Sequence, residues 1–170
     1  VVVAAPEAGL IVTFFLLPLL IYSGHPSVLL AAMVLLIFFS FLVKAMRGKR
    51  YVRFETVDLF FLLFALVFLL GAFFGFGGKI SNALPLYLVL MLGYFLSANL
   101  LVSRVWLRRG VAAMLAGGAV SSLYGIYQYI TGNVDTVWLD TENFSNIAGR
   151  SVSFFENPNM LGEYVMMLLP

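Results

Sequence analysis

The stretch SVLLAAMVLLIFFSFLV (residues 27–43), the basic segment KAMRGKRYVR (44–53) and the stretch VDLFFLLFALVFLLGAFF (57–74) together decide the fold. Each apolar stretch approaches the roughly 20 residues that a helix needs to cross the hydrocarbon core of a bilayer. The first carries no charge at all, and the segment between them carries Lys44, Arg47, Lys49, Arg50 and Arg53. Two spans joined by a short basic loop form a helical hairpin in a membrane, with the loop held in water.

The same pattern continues outward in both directions. An apolar run at about 10–22 precedes the hairpin; it is short for a span and has Pro18 inside it. Ser23, Gly24, His25 and Pro26 form the turn after it. The glycine-rich segment 75–78 ends the third run, a fourth covers about 82–102, and a fifth about 111–130. A mostly polar stretch fills 131–159, and a sixth apolar run begins at about Met160. The sequence therefore predicts an all-α, polytopic transmembrane helical bundle of about six spans, with residues 1–170 forming a single transmembrane domain.

Composition points the same way. The chain is 62% hydrophobic and 11% charged, with a mean hydropathy of +1.03. A soluble domain is about half apolar and about a quarter charged, and one of this size lacks the interior volume to hide so much oily surface. Cysteine is absent, which excludes disulfides, thiol nucleophiles and thiolate metal sites and leaves the redox compartment open. The chain opens without Met, and no Lys or Arg precedes its first apolar run, unlike a signal peptide. It stops at Pro170 within an apolar stretch. Both ends lead us to expect an N-terminal fragment whose sixth helix is cut at 170.

Charge sets the expected orientation. Five of the ten Lys and Arg lie between the second and third runs, and Arg104, Arg108 and Arg109 lie between the fourth and fifth. Short loops rich in Lys and Arg stay cytoplasmic. The two basic loops are separated by two spans, so parity agrees with charge. The N-terminus is then cytoplasmic and loop 131–159 extracytoplasmic. That loop holds Asp135, Asp140, Glu142 and Glu156 against a single arginine, Arg150.

The fifth run has a packing signature. Ala113, Gly117, Ser121 and Gly125 recur every four residues and form one face of small side chains, which lets a neighbouring helix approach closely in lipid. Tyr124, Tyr127 and Tyr129, with Trp138 beyond, fit an interfacial aromatic belt.

Several chemical signals fail on spacing. Gly75, Gly77, Gly78 and Lys79 resemble a phosphate loop, but the required hydroxyl and leading glycine positions hold Ile80 and Phe73. His25 is the only histidine and has no second ligand nearby, so no metal site is expected; no cofactor is expected either. Asn143-Phe144-Ser145 fits the N-glycosylation pattern, which is common by chance. The cytoplasmic basic residues read as topology anchors near anionic membrane lipid rather than as a nucleic-acid surface, since no folded domain presents them. Polar residues within the spans are few: Asn99, counted as near a helix middle, Gln128 and Glu163.

The richest tract is 149–164. A lone guanidinium facing the membrane surface from outside suits forked hydrogen bonding to a phosphate, and Arg150 is that group. Asn157-Pro158-Asn159 then starts a helix. Pro158 suits a first turn, and Asn157, held extended before proline, suits an N-cap. The free amides of that first turn also suit an anion, and the cap and anion readings are compatible. Glu163, near the outward end of the sixth run, fits either an interfacial acid at a helix start or a substrate contact.

The tract RSVSFFENPNMLGEYVMMLLP (150–170) resembles the O-antigen ligase and O-antigen polymerase family of bacterial membrane glycosyltransferases. These proteins have an arginine, a short Phe-containing segment, Asn-Pro-Asn, and an apolar helix ending near a proline. The segment GIYQYITGNVDTVW (125–138) is similar to the helix and exit loop before that motif. Ser151 to Ser153 depart from the family's more Gly/Thr-rich approach to the Phe.

The resemblance implies an inverting transfer on the outer face of the bacterial cytoplasmic (inner) membrane, in cell-surface polysaccharide biosynthesis. The donor would be a glycan on a polyprenyl (undecaprenyl) diphosphate, and the acceptor a hydroxyl on a sugar or a lipid-linked sugar. Arg150 would act as the catalytic cation at the departing diphosphate, and Asn157, Asn159 and Glu163 would bind substrate. Relatives are longer and contribute further basic residues and a histidine, to which His25 does not correspond, so this fragment alone is expected not to turn over. Two other readings compete: a transporter or lipid-linked-sugar flippase, which needs a broken helix or a buried charge near mid-bilayer, and a non-catalytic subunit that binds a partner through the small-residue face.

Overall fold

The computed structural model describes residues 5–74, 84–134 and 149–169. Among these, the chain is all helix, with no strand. The elements are α1 (Pro6–Ile21), α2 (Pro26–Met46), α3 (Thr56–Phe74), α4 (Leu84–Leu100), α5 (Arg104–Thr131) and α6 (Pro158–Met167).

The helix limits follow from local chemistry. α1, α2 and α6 each begin on a proline, whose fixed φ suits the first helical position and whose missing N–H costs nothing there. α2 ends in a Schellman turn: the Lys49 N–H donates to the Lys44 carbonyl at 3.0 Å and the Gly48 N–H to the Ala45 carbonyl at 3.0 Å. Gly48 has φ 65°, the left-handed conformation that this motif requires of its penultimate residue. α3 begins with the reach-back half of a capping box, the Glu55 N–H donating to Asp58 Oδ2 at 2.6 Å.

Three boundaries differ from the sequence expectation: α1 begins at Pro6 rather than near residue 10, α6 ends at Met167 with Leu168 as its C-cap rather than running on to 170, and α5 differs most. α5 starts at Arg104, not near residue 111. The Ser103 hydroxyl caps it by accepting from the Trp106 N–H at 3.3 Å. Arg104, Arg108 and Arg109, expected in a loop, lie on its first turns, because arginine is a strong helix former once a cap is in place.

By length and composition, α2 and α5 are each long and apolar enough to cross a membrane, whereas α1, α4 and the apolar part of α3 (Thr56–Gly71) are shorter. α3 is notable for its surface: residues 59–64, all Leu or Phe, are exposed without interruption.

The chain divides into two compact units, Val1–Leu10 with Ser27–Leu107 and Ile11–Pro26 with Arg108–Pro170. In the first, Val34, Ile37 and Phe41 of α2 are buried, as are Leu96 and Leu100 of α4. Phe41 meets Phe95 edge-on at 6.0 Å, and Phe61 of α3 stacks on Tyr94 of α4 at 4.3 Å. Three of the buried polar side chains of this unit, Glu7, Asp58 and Asn99, lie at helix ends. Buried Glu7, in the first turn of α1, pairs with Arg50. Asn99, at the penultimate position of α4, accepts from the Arg53 N–H at 2.7 Å and donates to the Phe95 carbonyl at 3.0 Å. Asn99 is therefore not a mid-helix group. It fastens the basic segment to the end of α4, and Arg50 serves an ion pair as well as contributing basic charge.

In the second unit the small-residue face of α5 is covered by the chain itself. A Cβ built on Gly117 would lie 2.7 Å from the Phe15 carbonyl oxygen of α1. On Gly118 it would meet the Leu168 side chain, and on Gly125 it would lie 3.1 Å from Ser151 Oγ. Ser121, on the same face, is fully buried.

Candidate functional site

The second unit ties the segment before α6 to α5 through one glutamine. Gln128 is buried near the end of α5. Its Oε1 accepts from the Ser153 N–H at 2.7 Å and from Ser151 Oγ at 2.9 Å. Its Nε2 donates to the Ser153 carbonyl at 3.2 Å. One side-chain amide thus brackets a complete residue of the opposing segment. Two turns back along α5, Ser153 Oγ donates to the Ser121 carbonyl at 2.6 Å and shares a 2.9 Å hydrogen bond with Ser121 Oγ.

Ser153 is 3% exposed, so each of these bonds replaces water that the group has lost, and leaving any unmade would cost about 1–3 kcal/mol. Its backbone has φ 55°, the one left-handed non-glycine residue among those described. Such a conformation persists only where its surroundings over-determine it, and here all its polar groups are held by α5. Ser151 and Ser153 are thus the residues that anchor the segment to α5.

Aromatic packing extends the anchor. Phe154 stacks on Tyr124 at 4.6 Å with planes 4° apart and meets Tyr22 edge-on at 6.1 Å. Tyr124, expected in an interfacial belt, is thus spent on internal packing, whereas Tyr127 and Tyr129 are exposed. Phe155 is buried and packs against Tyr164 of α6 at 5.2 Å.

The residues singled out in the sequence flank this anchor. Arg150 immediately precedes it; the residue is exposed and forms no hydrogen bond or ion pair with another described residue. Asn157 is the N-cap of α6, extended at φ −152°, its side chain accepting from the Met160 N–H at 3.0 Å. Its carboxamide oxygen is thereby committed to the helix. Asn159 and Glu163, one turn apart on α6, are both exposed. Beside the anchor, an open groove of roughly 330 Å³ is lined by Gly125, Ile126, Tyr129, Ser151, Leu161 and Val165. Asp135, Trp138, Asp140, Glu142 and the Asn143 sequon lie outside the described residues, as do the glycine-rich segment 75–78 and Lys79.

Sequence reading passed over Ser121, Ser151 and Ser153 as hydrogen-bonding partners, and Asp58 altogether. Asp58 is buried, and its Oδ1 has no partner among the described residues. A carboxylate three residues into a helix start was the available signal for Asp58. For the serines, a glutamine in an apolar run near a helix end was the signal that polar partners had to lie close by. Comparison with protein-family models, curated proteins and solved structures returns no match to this chain, so the resemblance of 150–170 rests on its own motif residues.

Proposed function

We propose that this chain is part of a bacterial inner-membrane glycosyltransferase that ligates or polymerises polyprenyl-diphosphate-linked glycans on the outer face of the membrane. The observation that carries the reading is Arg150: an exposed guanidinium, unpaired among the described residues, next to a rigidly anchored segment leading into a capped helix. A membrane setting is supported by the uninterrupted exposed Leu and Phe of α3 and by the lengths of α2 and α5. Water penalises such a surface, whereas lipid does not. Alternation of α1 to α4 across the membrane is supported by Glu7–Arg50 and Asn99–Arg53, which join the start of α1 and the end of α4 to the basic segment between α2 and α3.

In this reaction an acceptor hydroxyl forms a new bond to the anomeric carbon and loses its proton to water or a base. The bond from that carbon to the diphosphate breaks on the opposite face, and its electron pair leaves on the lipid diphosphate. Negative charge grows on the leaving group in the transition state, so a fixed cation there accelerates the reaction selectively. Arg150 supplies that cation, and Asn159 and Glu163 are available to hydroxyls of the glycan. Asn157 holds the helix start beneath them, and the groove beside Ser151 accommodates an apolar chain.

The competing readings have less support. Asn99 sits at a helix end, and among the described residues the buried acids Glu7 and Asp58 also lie in first turns, away from the mid-bilayer depth a carrier needs. Gly117 and Gly125 on the α5 face are already covered, which removes the surface a partner-binding subunit would use. The test is transfer from a polyprenyl-diphosphate glycan by the intact protein carrying Arg150→Ala. A loss on the order of 100- to 1000-fold in kcat is expected, and wild-type rates would overturn the assignment.

A further inference from the structure

We infer that Gln128 is a positioning residue for Arg150, holding the guanidinium where a departing diphosphate meets it; this rests on the transferase reading above. Arg150 has no described partner of its own. Its location is therefore set by whatever fixes the backbone beside it. That backbone is fixed by α5: Gln128 takes the hydroxyl of the very next residue, Ser151, at 2.9 Å. It also holds both backbone polar groups of Ser153, at 2.7 and 3.2 Å.

The left-handed Ser153 makes the arrangement depend on Gln128. A non-glycine residue at φ 55° relaxes toward ordinary dihedrals when its hydrogen bonds are removed. Rotation there re-aims the chain on both sides, including Arg150 three residues earlier. Ser121 would still hold the Ser153 hydroxyl but has no bond to the Ser153 peptide groups or to Ser151. Among the described residues, Gln128 thus makes the hydrogen bonds to the Ser151 hydroxyl and the Ser153 peptide groups that orient the chain beside the cation, while Ser121 and the Phe154 packing hold side chains only.

Two measurements on the intact protein test this, one of them independent of catalysis. The 170-residue chain has no cysteine, so Arg150→Cys offers a site for a spin label, with any cysteine elsewhere in the protein replaced. In membranes, Gln128→Ala should sharpen the label's spectrum, and Ser151→Ala, which removes one bond and leaves Ser153 held, should sharpen it less. An unchanged spectrum in both variants would overturn the inference; should Gln128→Ala fail to fold, Ser151→Ala alone decides.

In the catalytic arm, Gln128→Ala in the native Arg150 background should lower kcat on the order of ten- to a hundredfold, the cost of a misplaced group. Donor KM should change by no more than about twofold, since ground-state binding is retained. Placed on top of Arg150→Ala, it should cost nothing more. Independent, multiplying losses would refute positioning, because a residue that merely stabilises the fold lowers both backgrounds alike. If the spectra change but the parent protein transfers no glycan, the anchor stands and the transferase reading falls.

Discussion

Replacing Gly117 with alanine probes the packing of α5 against α1 at its tightest point. The added Cβ would sit 2.7 Å from the Phe15 carbonyl oxygen and 3.4 Å from its carbon. Ordinary carbon–oxygen contacts between packed backbones lie near 3.3 Å or more, so the methyl arrives about 0.6 Å too close. Both groups belong to helix backbone, and no side-chain rotation relieves the clash. Overpacking of this kind costs about 1–3 kcal/mol, while alanine recovers about 1 kcal/mol of helix propensity over glycine. The net expectation for Gly117→Ala runs from no change to a loss of about 2 kcal/mol. Gly93→Ala in α4 supplies the reference, because nothing lies within 4 Å of its built Cβ, and it should gain about 1 kcal/mol. The two variants should then differ by about 1–3 kcal/mol, or roughly 2–12 °C in Tm for a chain of this length. Thermal unfolding of detergent-solubilised protein, followed by circular dichroism, reads the gap. Equal upward shifts for the two variants would mean that α1 does not lie against Gly117.

Three further expectations follow from particular contacts. Asn157→Ala removes the α6 cap and should cost about 1 kcal/mol in denaturant unfolding, whereas Asn157→Ser, which keeps an acceptor oxygen, should recover most of it; identical losses would contradict the cap. Glu7→Gln or Arg50→Gln leaves a mostly buried charge without its counter-ion and should destabilise by about 1–3 kcal/mol. The double variant should lose less than the sum of the two, and additive losses would deny the pair. A membrane-impermeant thiol reagent applied from outside should label Arg150→Cys and spare Arg47→Cys until the membrane is opened; the reverse pattern would invert the proposed topology and remove the donor site.

Much of the helix framework was legible before any tertiary structure. Apolar runs of spanning or near-spanning length, broken at Pro26 and Pro158, mark helix limits through local backbone chemistry that each residue carries with it. The start of α5 was misjudged because Arg104, Arg108 and Arg109 were weighed as loop charge, while their helix propensity and the Ser103 cap acted locally in the other direction. Asp58 was overlooked because it lies inside the apolar run of 57–74, whose overall hydropathy hides a single carboxylate that caps the helix start.

By itself, then, the sequence determined an all-α chain, its helix limits within a turn or two, the small-residue face of α5, and the Asn157 cap, which are properties of neighbours along the backbone. Tertiary structure alone decided which polar groups meet. Gln128 reaches a residue 25 positions away and Ser121 one 32 positions away, pairings that no local pattern encodes. The physical reason is that small residues at 117, 121 and 125 let other segments close on α5. Once water is excluded there, each buried polar atom must bond to whatever packing has brought within reach.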